Sequence, residues 1–551
     1  MSENVLALIA LISPAIFVAV AIASWFQRGS KPRQVILAGK FATISSLLIC
    51  CICCFYTIRL GLIESALVGI NDIGFSVRLD SLSLLMLGMI ALLGFIIMKF
   101  SINYLDGDER QGVFLGRLAA TIASVQMLVL SGNIGLLFLA WVLTSMSLHR
   151  LLLFYRERPG AQIAAKKKFI LARLGDFCLL VAVGLLYHQV GSGNLEVIFS
   201  YFKHPTTIDS TLVPVELAAL FLAMAAILKS AQFPTHGWLV EVMETPTPVS
   251  ALLHAGLLNA GPFLIIRMSY VMDASTYAPM LLMALGGFTA LFASIVYLTQ
   301  TSVKTALGYS SVGHMGFSLM VCGLGVYPAA MLHLVAHSFY KAHAFLSSGS
   351  VIDVVRASKI AYTPEKVDLR RVMGGIVMAL LMYTVFALIW GLNPSKDLSL
   401  LFVGAVIVLG LSRIFAAALA GKWQLALIAR AMFLGLVVTV SFFVLESGTQ
   451  YLLGSQVPEM MQPNLIKALV MGVLLLGFAF VVFVQHHLWQ LSSNAKYQAL
   501  AVHFRNGFYA NAWFDRVIQA LQVPSADGNE LERVRFSLTK IEGSQRRWLL
   551  K

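Results

Sequence analysis

Lys229 is the residue in this chain whose position demands a chemical explanation. It lies in the run Val213 to Val249, apolar for about the length of a membrane span, and is followed at once by Ser230-Ala231-Gln232-Phe233-Pro234. A lysine at the centre of a membrane helix costs about 2.5–3.5 kcal/mol on insertion scales, so such a charge is read as functional by default. Pro234 removes a backbone donor, and helix breaks are tolerated in membranes where they line a cavity or water path. A buried amine beside a helix break has the form of a proton or cation path. Asp176, in Arg173-Leu174-Gly175-Asp176, and His254 fall on the neighbouring apolar runs at a similar level. By a rise of about 1.5 Å per residue, Lys229 is roughly 20 Å from one end of its span and Asp176 roughly 10 Å into its own. A fixed Asp–Lys or Asp–Arg pair is the structural alternative. A second cluster, His333, His337 and Lys341, recurs at i, i+4 and i+8, which places the three on one helix face at steps of about 6 Å. The glutamate of a zinc-binding H-E-x-x-H is missing, because Val335 and Ala336 stand between the histidines, so no metal is expected here. The row reads as a proton wire, with polar packing between helices as the alternative. His314 adds an imidazole, and His149 falls close to a membrane surface.

These residues need a membrane scaffold to hold them. The chain has 551 residues, 58% hydrophobic and 12% charged, with mean hydropathy +0.82. Apolar runs of span length repeat along it, which predicts an all-α, polytopic membrane protein of about fifteen spans. Four spans matter below: the sixth over Phe169–Val190, a broken seventh over Val213–Glu244, the eleventh over Tyr327–Ile352 and the thirteenth over Leu398–Gly421. The first run, from Asn4 to Phe26, has no basic residue ahead of it and reads as a retained span.

Basic residues set the expected orientation. Arg28, Lys31 and Arg33, then Arg150, Arg156, Arg158 and Lys166 to Lys168, then Arg356, Lys359, Lys366, Arg370 and Arg371 fall in loops on one side. The opposite loops carry only Arg59, Arg78, Lys203 and Lys396. The positive-inside rule places the N-terminus outside and the C-terminus in the cytoplasm. The net charge of +14 is then mostly topogenic, and a nucleic-acid role is excluded for want of a basic soluble face. Cys50, Cys51, Cys53 and Cys54 lack zinc-ligand spacing, and no P-loop, haem or iron–sulfur motif occurs, so no cofactor is expected in this chain. Phe504, Phe508, Trp513, Phe514, Val517, Ile518 and Leu521 recur near helical spacing, and a basic stretch follows over Leu531–Lys551. This tail is read as a cytoplasmic docking element, or as an amphipathic helix on the bilayer surface.

The run LKSAQFPTHGWLVEVMETPTPVSALLHAG, with HLVAHSFYKAHAFLSSGSVI downstream, resembles the proton-conducting antiporter-like family. That family includes the large membrane-arm subunits of complex I and the Mrp cation/proton antiporters, and the likeness runs from about Leu79 to Asp353. It implies two five-helix repeats of inverted topology. The expected division is a three-span segment over 1–111, a first repeat over 112–272, a reduced second repeat over 273–421, further spans over 422–490 and the tail over 491–551. Lys229 then matches the broken-helix lysine, His254 the histidine of the next helix, and His333, His337 and Lys341 the central axis of the second repeat. The chain departs from the pattern at Trp141-Val142-Leu143, where complex I members carry a glutamate after the tryptophan; Asp176 is the nearest substitute. Ser395-Lys396-Asp397, behind Asn393-Pro394, is expected in an outer loop and not deep in a broken helix. With these losses the wording F-P-T-H-G-W and L-L-H-A-G-L-L-N-A-G is most similar to the membrane subunits of two-component DAB inorganic-carbon transporters. That resemblance implies a prokaryotic inner-membrane protein with no active site of its own, bound to a soluble, zinc-containing DabA-like partner on the cytoplasmic face. Protons or sodium passing through this chain would then drive conversion of CO2 to bicarbonate on that partner. A complex I subunit or an Mrp-type antiporter stays open as the alternative.

Overall fold

The computed structural model describes residues 3–203, 213–242, 245–349, 369–393, 396–420, 425–491 and 495–520. The bilayer admits only structures that satisfy their own backbone groups, and the apolar runs form helices. The first seven are α1 (Glu3–Phe26), α2 (Arg33–Leu60), α3 (Ser81–Tyr104), α4 (Gln111–Val129), α5 (Ile134–Leu152), α6 (Pro159–Val190) and α7 (Leu195–Lys203). They are followed by α8 (Val213–Lys229), α9 (Gly237–Glu241), α10 (Thr247–Ala255), α11 (Ala260–Arg267), α12 (Ser269–Asp273), α13 (Tyr277–Thr299), α14 (Val303–Gly323) and α15 (Tyr327–Leu346). The last group is α16 (Leu369–Ile389), α17 (Leu398–Leu409), α18 (Ser412–Ala420), α19 (Leu425–Leu453), α20 (Leu465–Leu491), α21 (Ala495–Arg505) and α22 (Ala510–Ala520). The stretch Leu531–Lys551 lies outside the described residues.

Eleven described helical segments are long and apolar enough to cross a membrane. The other four expected spans are those that carry or flank polar residues. Helix α8 stops after 17 residues at Lys229 and is continued by the short α9. Helices α14 and α15, of 21 and 20 residues, hold His314, His333, His337 and Lys341. The expected span Leu398–Gly421 is split into α17 and α18, because the amides of Gly410 and Leu411 bond back three residues and the helix tightens to a stop. Lys396 lies in the turn before α17 and not in a helix, as its sequence context suggests.

Two features go beyond the sequence reading. The loop between α2 and α3 is a pair of small antiparallel ribbons, β1 (Ile63–Glu64) with β4 (Arg78–Leu79) and β2 (Val68–Ile70) with β3 (Ile73–Phe75). Asn71 and Asp72, at φ +50° and +59°, supply the left-handed pair that a two-residue hairpin requires. Second, Lys166 to Lys168 are not in a loop. Helix α6 starts at Pro159, a residue suited to a first helical position, and the alanine-rich turn that follows carries it on through the lysines. At 32 residues it is about 48 Å long, more than the bilayer's hydrocarbon core of about 30 Å.

Packing follows from small residues and buried charge. Helices α13 and α14 cross so closely that a Cβ on Gly286 or Gly316 would lie 2.6 Å from the other's carbonyl oxygen, the close approach that small residues permit in membranes. At the other end of the bundle Asp80 caps α3 by accepting from the Ser83 amide at 2.8 Å, and pairs with Arg267 of α11 at 2.5 Å and Arg78 at 2.7 Å. Arg78 also pairs with Glu64 and Glu196. Far from being a loose loop charge, it is buried and ties the ribbon and α7 to the bundle. Since Arg267→Leu leaves Asp80 with Arg78 as its one remaining cation, it is expected to destabilise the fold by about 1.5–3 kcal/mol, the worth of a hydrogen bond to a charged group, read as a lowered melting temperature in detergent.

Candidate functional site

Lys229 is the last residue of α8 and is buried. Its Nζ donates to the Trp141 carbonyl at 3.1 Å, to Thr144 Oγ1 at 2.9 Å and to Ser145 Oγ at 2.7 Å. It also stands 4.2 Å from the centroid of the Trp141 indole, within the range where a ring face attracts a cation. All three ammonium donors are therefore used, each on a neutral oxygen of α5. Thr144 Oγ1 donates its own proton to the Trp141 carbonyl at 2.7 Å, which leaves its lone pairs for the lysine. The helix that would carry the family glutamate thus still receives Lys229, with hydroxyls in place of a carboxylate. Thr144 and Ser145 were missed at the sequence level; their spacing of three and four residues from Trp141, on one helix face, was the available signal.

Asp176 makes no ion pair with Lys229. It pairs with Arg173, one turn back on α6, at 2.6 Å. The partner is an i, i+3 neighbour on the same helix, so Asp176 lines the Lys229 region from a second rank.

The break after Lys229 begins at Ser230, four residues before Pro234. Ala231 adopts φ +52°, a left-handed conformation that costs a residue with a Cβ about 1–2 kcal/mol. Neighbours hold it there: Ser230 Oγ donates to the Leu258 carbonyl at 3.2 Å, Gln232 Nε2 to the Ser230 carbonyl at 2.9 Å, and the Phe233 amide to Thr289 Oγ1 of α13 at 3.2 Å. The Phe233–Pro234 peptide is cis.

From the break the polar residues continue along the bundle. His254, fully buried on α10, stacks on Phe345 of α15 with centroids 4.3 Å apart. Phe345 is one turn beyond Lys341, whose Nζ donates to the Leu307 carbonyl at 3.1 Å. Asn259 Nδ2 donates to Ser338 Oγ at 2.7 Å and fastens α15 to this segment. His337 is buried, with its ring 4.9 Å from that of His314, and His314 Nδ1 lies 3.3 Å from His333 Nε2. His314 therefore bridges two members of the row. His343 points outward and is not part of it. A cavity of about 610 Å³ meets His314 and His333 on one wall and Leu409 and Gly410, the second helix break, on another. Among the described residues, neither ring nitrogen of His254 or His337 makes a protein hydrogen bond. Such buried orphans are uncommon in folded proteins and call for a functional or solvent explanation.

The tail closes the other side of the break. Lys167 Nζ pairs with Glu241 of α9 at 2.5 Å and with Asp515 of α22, and donates to Asn511 Oδ1 at 3.0 Å. Asn511 Nδ2 in turn donates to Glu241 at 2.6 Å. Gly237 makes room, since a Cβ there would fall 1.8 Å from Asn511 Oδ1. The described part of the tail is thus clasped to this chain's own broken helix; Trp513 on α22 remains exposed.

A bundle whose broken helix ends on a buried lysine, beside a row of imidazoles and a second lysine, is that of an antiporter-type membrane subunit. The chain belongs to the NADH:quinone oxidoreductase/Mrp antiporter membrane family, whose profile matches residues 131–413. A second profile, for the N-terminus of complex I chain 5, matches residues 67–115. It is 35% identical to the probable inorganic carbon transporter subunit DabB2 of Halothiobacillus neapolitanus, over 82% of this chain and 81% of that one. The probable DabB subunit of Hydrogenovibrio crunogenus is 33% identical over 82% and 84%. In fold, the chain is similar to a chain of the Mrp complex from a Dietzia species, with a TM-score of 0.60 at 22% identity, covering 97% of this chain and 62% of that one.

Replacing the oxygens that hold Lys229 tests this geometry. Hydrogen bonds to charged groups are worth about 1.5–3 kcal/mol each, so Thr144→Val with Ser145→Ala is expected to cut transport more than tenfold while leaving membrane insertion intact, as measured by uptake in cells normalised to protein in the membrane. In the row, His337→Ala is expected to lower transport by separating Lys341 from the His314–His333 pair, with partial recovery by His337→Gln.

Proposed function

We propose that this chain is the cation-conducting membrane subunit of a two-component inorganic-carbon uptake complex. Proton or sodium passage through it would energise CO2-to-bicarbonate conversion on a soluble, zinc-containing, DabA-like partner, and this chain would carry no reaction itself. The observation that carries the reading is the series of ionisable groups from buried Lys229 and Asp176 through buried His254, Lys341 and His337 to half-buried His314 and His333, ending at a cavity beside a second helix break. Groups of this kind inside a membrane mark ion pathways. The two relatives named as inorganic-carbon transporter subunits support the carbon assignment because the likeness spans over four-fifths of their length. A chloroplast NAD(P)H-quinone oxidoreductase subunit 5 from Physcomitrium patens is 36% identical, but the match spans only 43% of it, which makes a respiratory role the weaker alternative.

The energy available suits the task. One charge crossing about 100 mV releases roughly 2.3 kcal/mol, and a pH gradient adds to it. The basic loops favour an inner-membrane orientation with the N-terminus outside and the tail, together with the partner, on the cytoplasmic face.

Lys229→Ala is expected to abolish bicarbonate accumulation while the zinc-containing partner still co-purifies with the membrane chain. Accumulation at the wild-type level would remove Lys229 from the mechanism. Truncation after Ser492 is expected to release the partner from membranes while this chain stays inserted; a partner retained by the truncated chain would move the docking site to the loops.

A further inference from the structure

Lys168 is buried to 4% exposure, yet its Nζ has no hydrogen-bond or ion-pair partner among the described residues. The face of the Trp238 indole lies 6.0 Å away, and the Asp176 carboxylate supplies opposite charge without touching it. A buried charge without a partner costs several kcal/mol, and an apolar residue of similar volume would be cheaper, so its place needs a function. Lys168 and Lys229 face the same small cavity, closed by Thr144, Leu148, Trp238, Leu253, Leu257 and Leu258. Its volume of about 10 Å³ is close to the room one water molecule needs. Lys168 also adjoins Lys167, the residue of the tail clasp, so it stands between the tail-side surface and the helix break. Lys166, Lys167, Arg173 and Asp176 on α6, Arg150 on α5, Glu216 on α8 and Glu241 on α9 are the other charged groups on the elements around it, with His149 at the end of α5 stacked on the adjacent Phe169 at 5.1 Å.

We propose that Lys168 is a second proton-carrying site that loads Lys229 from the tail side through this shared cavity. The proposal rests on the ion-conducting reading above and narrows its ion at this station to the proton. The cavity offers two amines and one hydroxyl, whereas a hard metal cation needs several oxygen ligands and is repelled by an ammonium. In the transfer, an N–H bond of the Lys168 ammonium breaks as the proton passes to a water. That water gives up a different proton to form a new N–H bond on the neutral Lys229 amine. Lys168 is left neutral, Lys229 charged, and the net charge of the pair unchanged.

The test uses the full chain in phosphatidylethanolamine–phosphatidylglycerol liposomes holding a trapped pH-sensitive dye, with proton flux driven by an imposed potential. Lys168→Gln is expected to lower the flux about tenfold or more, within the range a lost proton-transfer group produces, and Lys168→Arg is expected to be as poor, because a guanidinium does not release its proton. Chemical rescue separates chemistry from packing. With Cys50, Cys51, Cys53, Cys54, Cys178 and Cys322 replaced by alanine, Lys168→Cys should be slow, and 2-bromoethylamine, which rebuilds a primary amine on the thiol, should restore flux. Flux in Lys168→Gln equal to wild type overturns the site alone, provided wild type conducts and Lys229→Ala does not. Failure to restore flux in a slow Lys168→Cys chain whose aminoethylation at that position is verified by mass spectrometry overturns it as well. No proton flux in wild type overturns both this site and the ion-conducting reading.

Discussion

An ammonium held away from water is the constraint from which the rest of this structure follows. Lys229 is surrounded by apolar helices, and desolvating its charge is affordable only where every donor meets an oxygen. Three oxygens of α5 meet it, and the indole of Trp141 covers its remaining face. To present the amine there, α8 must stop, and stopping frees backbone groups that need partners inside a membrane. Gln232 supplies one for the Ser230 carbonyl and Thr289 one for the Phe233 amide. The break is therefore not a defect beside the lysine but part of what makes its position possible.

Neutral partners give this site a different character from an ion pair. A carboxylate in contact would hold the lysine charged, whereas carbonyl and hydroxyl oxygens accept from it without fixing a countercharge. The nearest acid, Asp176, is committed to Arg173. The amine is thus bound by groups whose geometry is fixed and whose charge does not change. Beyond it the break is gripped from two directions: on one side by α13 through Thr289, on the other by α22 through the Lys167–Glu241–Asn511–Asp515 cluster. A movement of the tail would be felt at the segment that follows Lys229. That physical connection is short, because α9 belongs to both.

Much of the site is legible in the sequence, for reasons specific to each residue. Lys229 and Pro234 stand out because a charge and a proline interrupt an apolar run. His333, His337 and Lys341 do so because polar residues at i, i+4 and i+8 define a single helix face. What escaped reading is equally physical. Thr144 and Ser145 are hydroxyl residues of a kind common in membrane helices, and nothing local distinguishes a ligand of an ammonium from a packing residue. Lys167 and Lys168 sit in a triple lysine that looks topogenic, and only tertiary packing shows two of them buried. Asp176 seemed available to Lys229 because its competitor, Arg173, is separated from it by one helical turn and no tertiary information is needed for that pair to form. The break at Gly410–Leu411 lacks a proline, and the hairpin over 68–75 depends on two left-handed residues within an otherwise unremarked loop.

Proton passage along the line through Lys229 is what the proposed function requires. Its most direct test is the proton current of wild-type and Lys229→Ala chains, purified and reconstituted in parallel and measured under the same imposed membrane potential. If protons pass through Lys229, the wild-type current scales with the number of chains per vesicle and falls to the protein-free background in Lys229→Ala. An equal current in both chains would contradict it, as would a wild-type current no greater than that of empty vesicles.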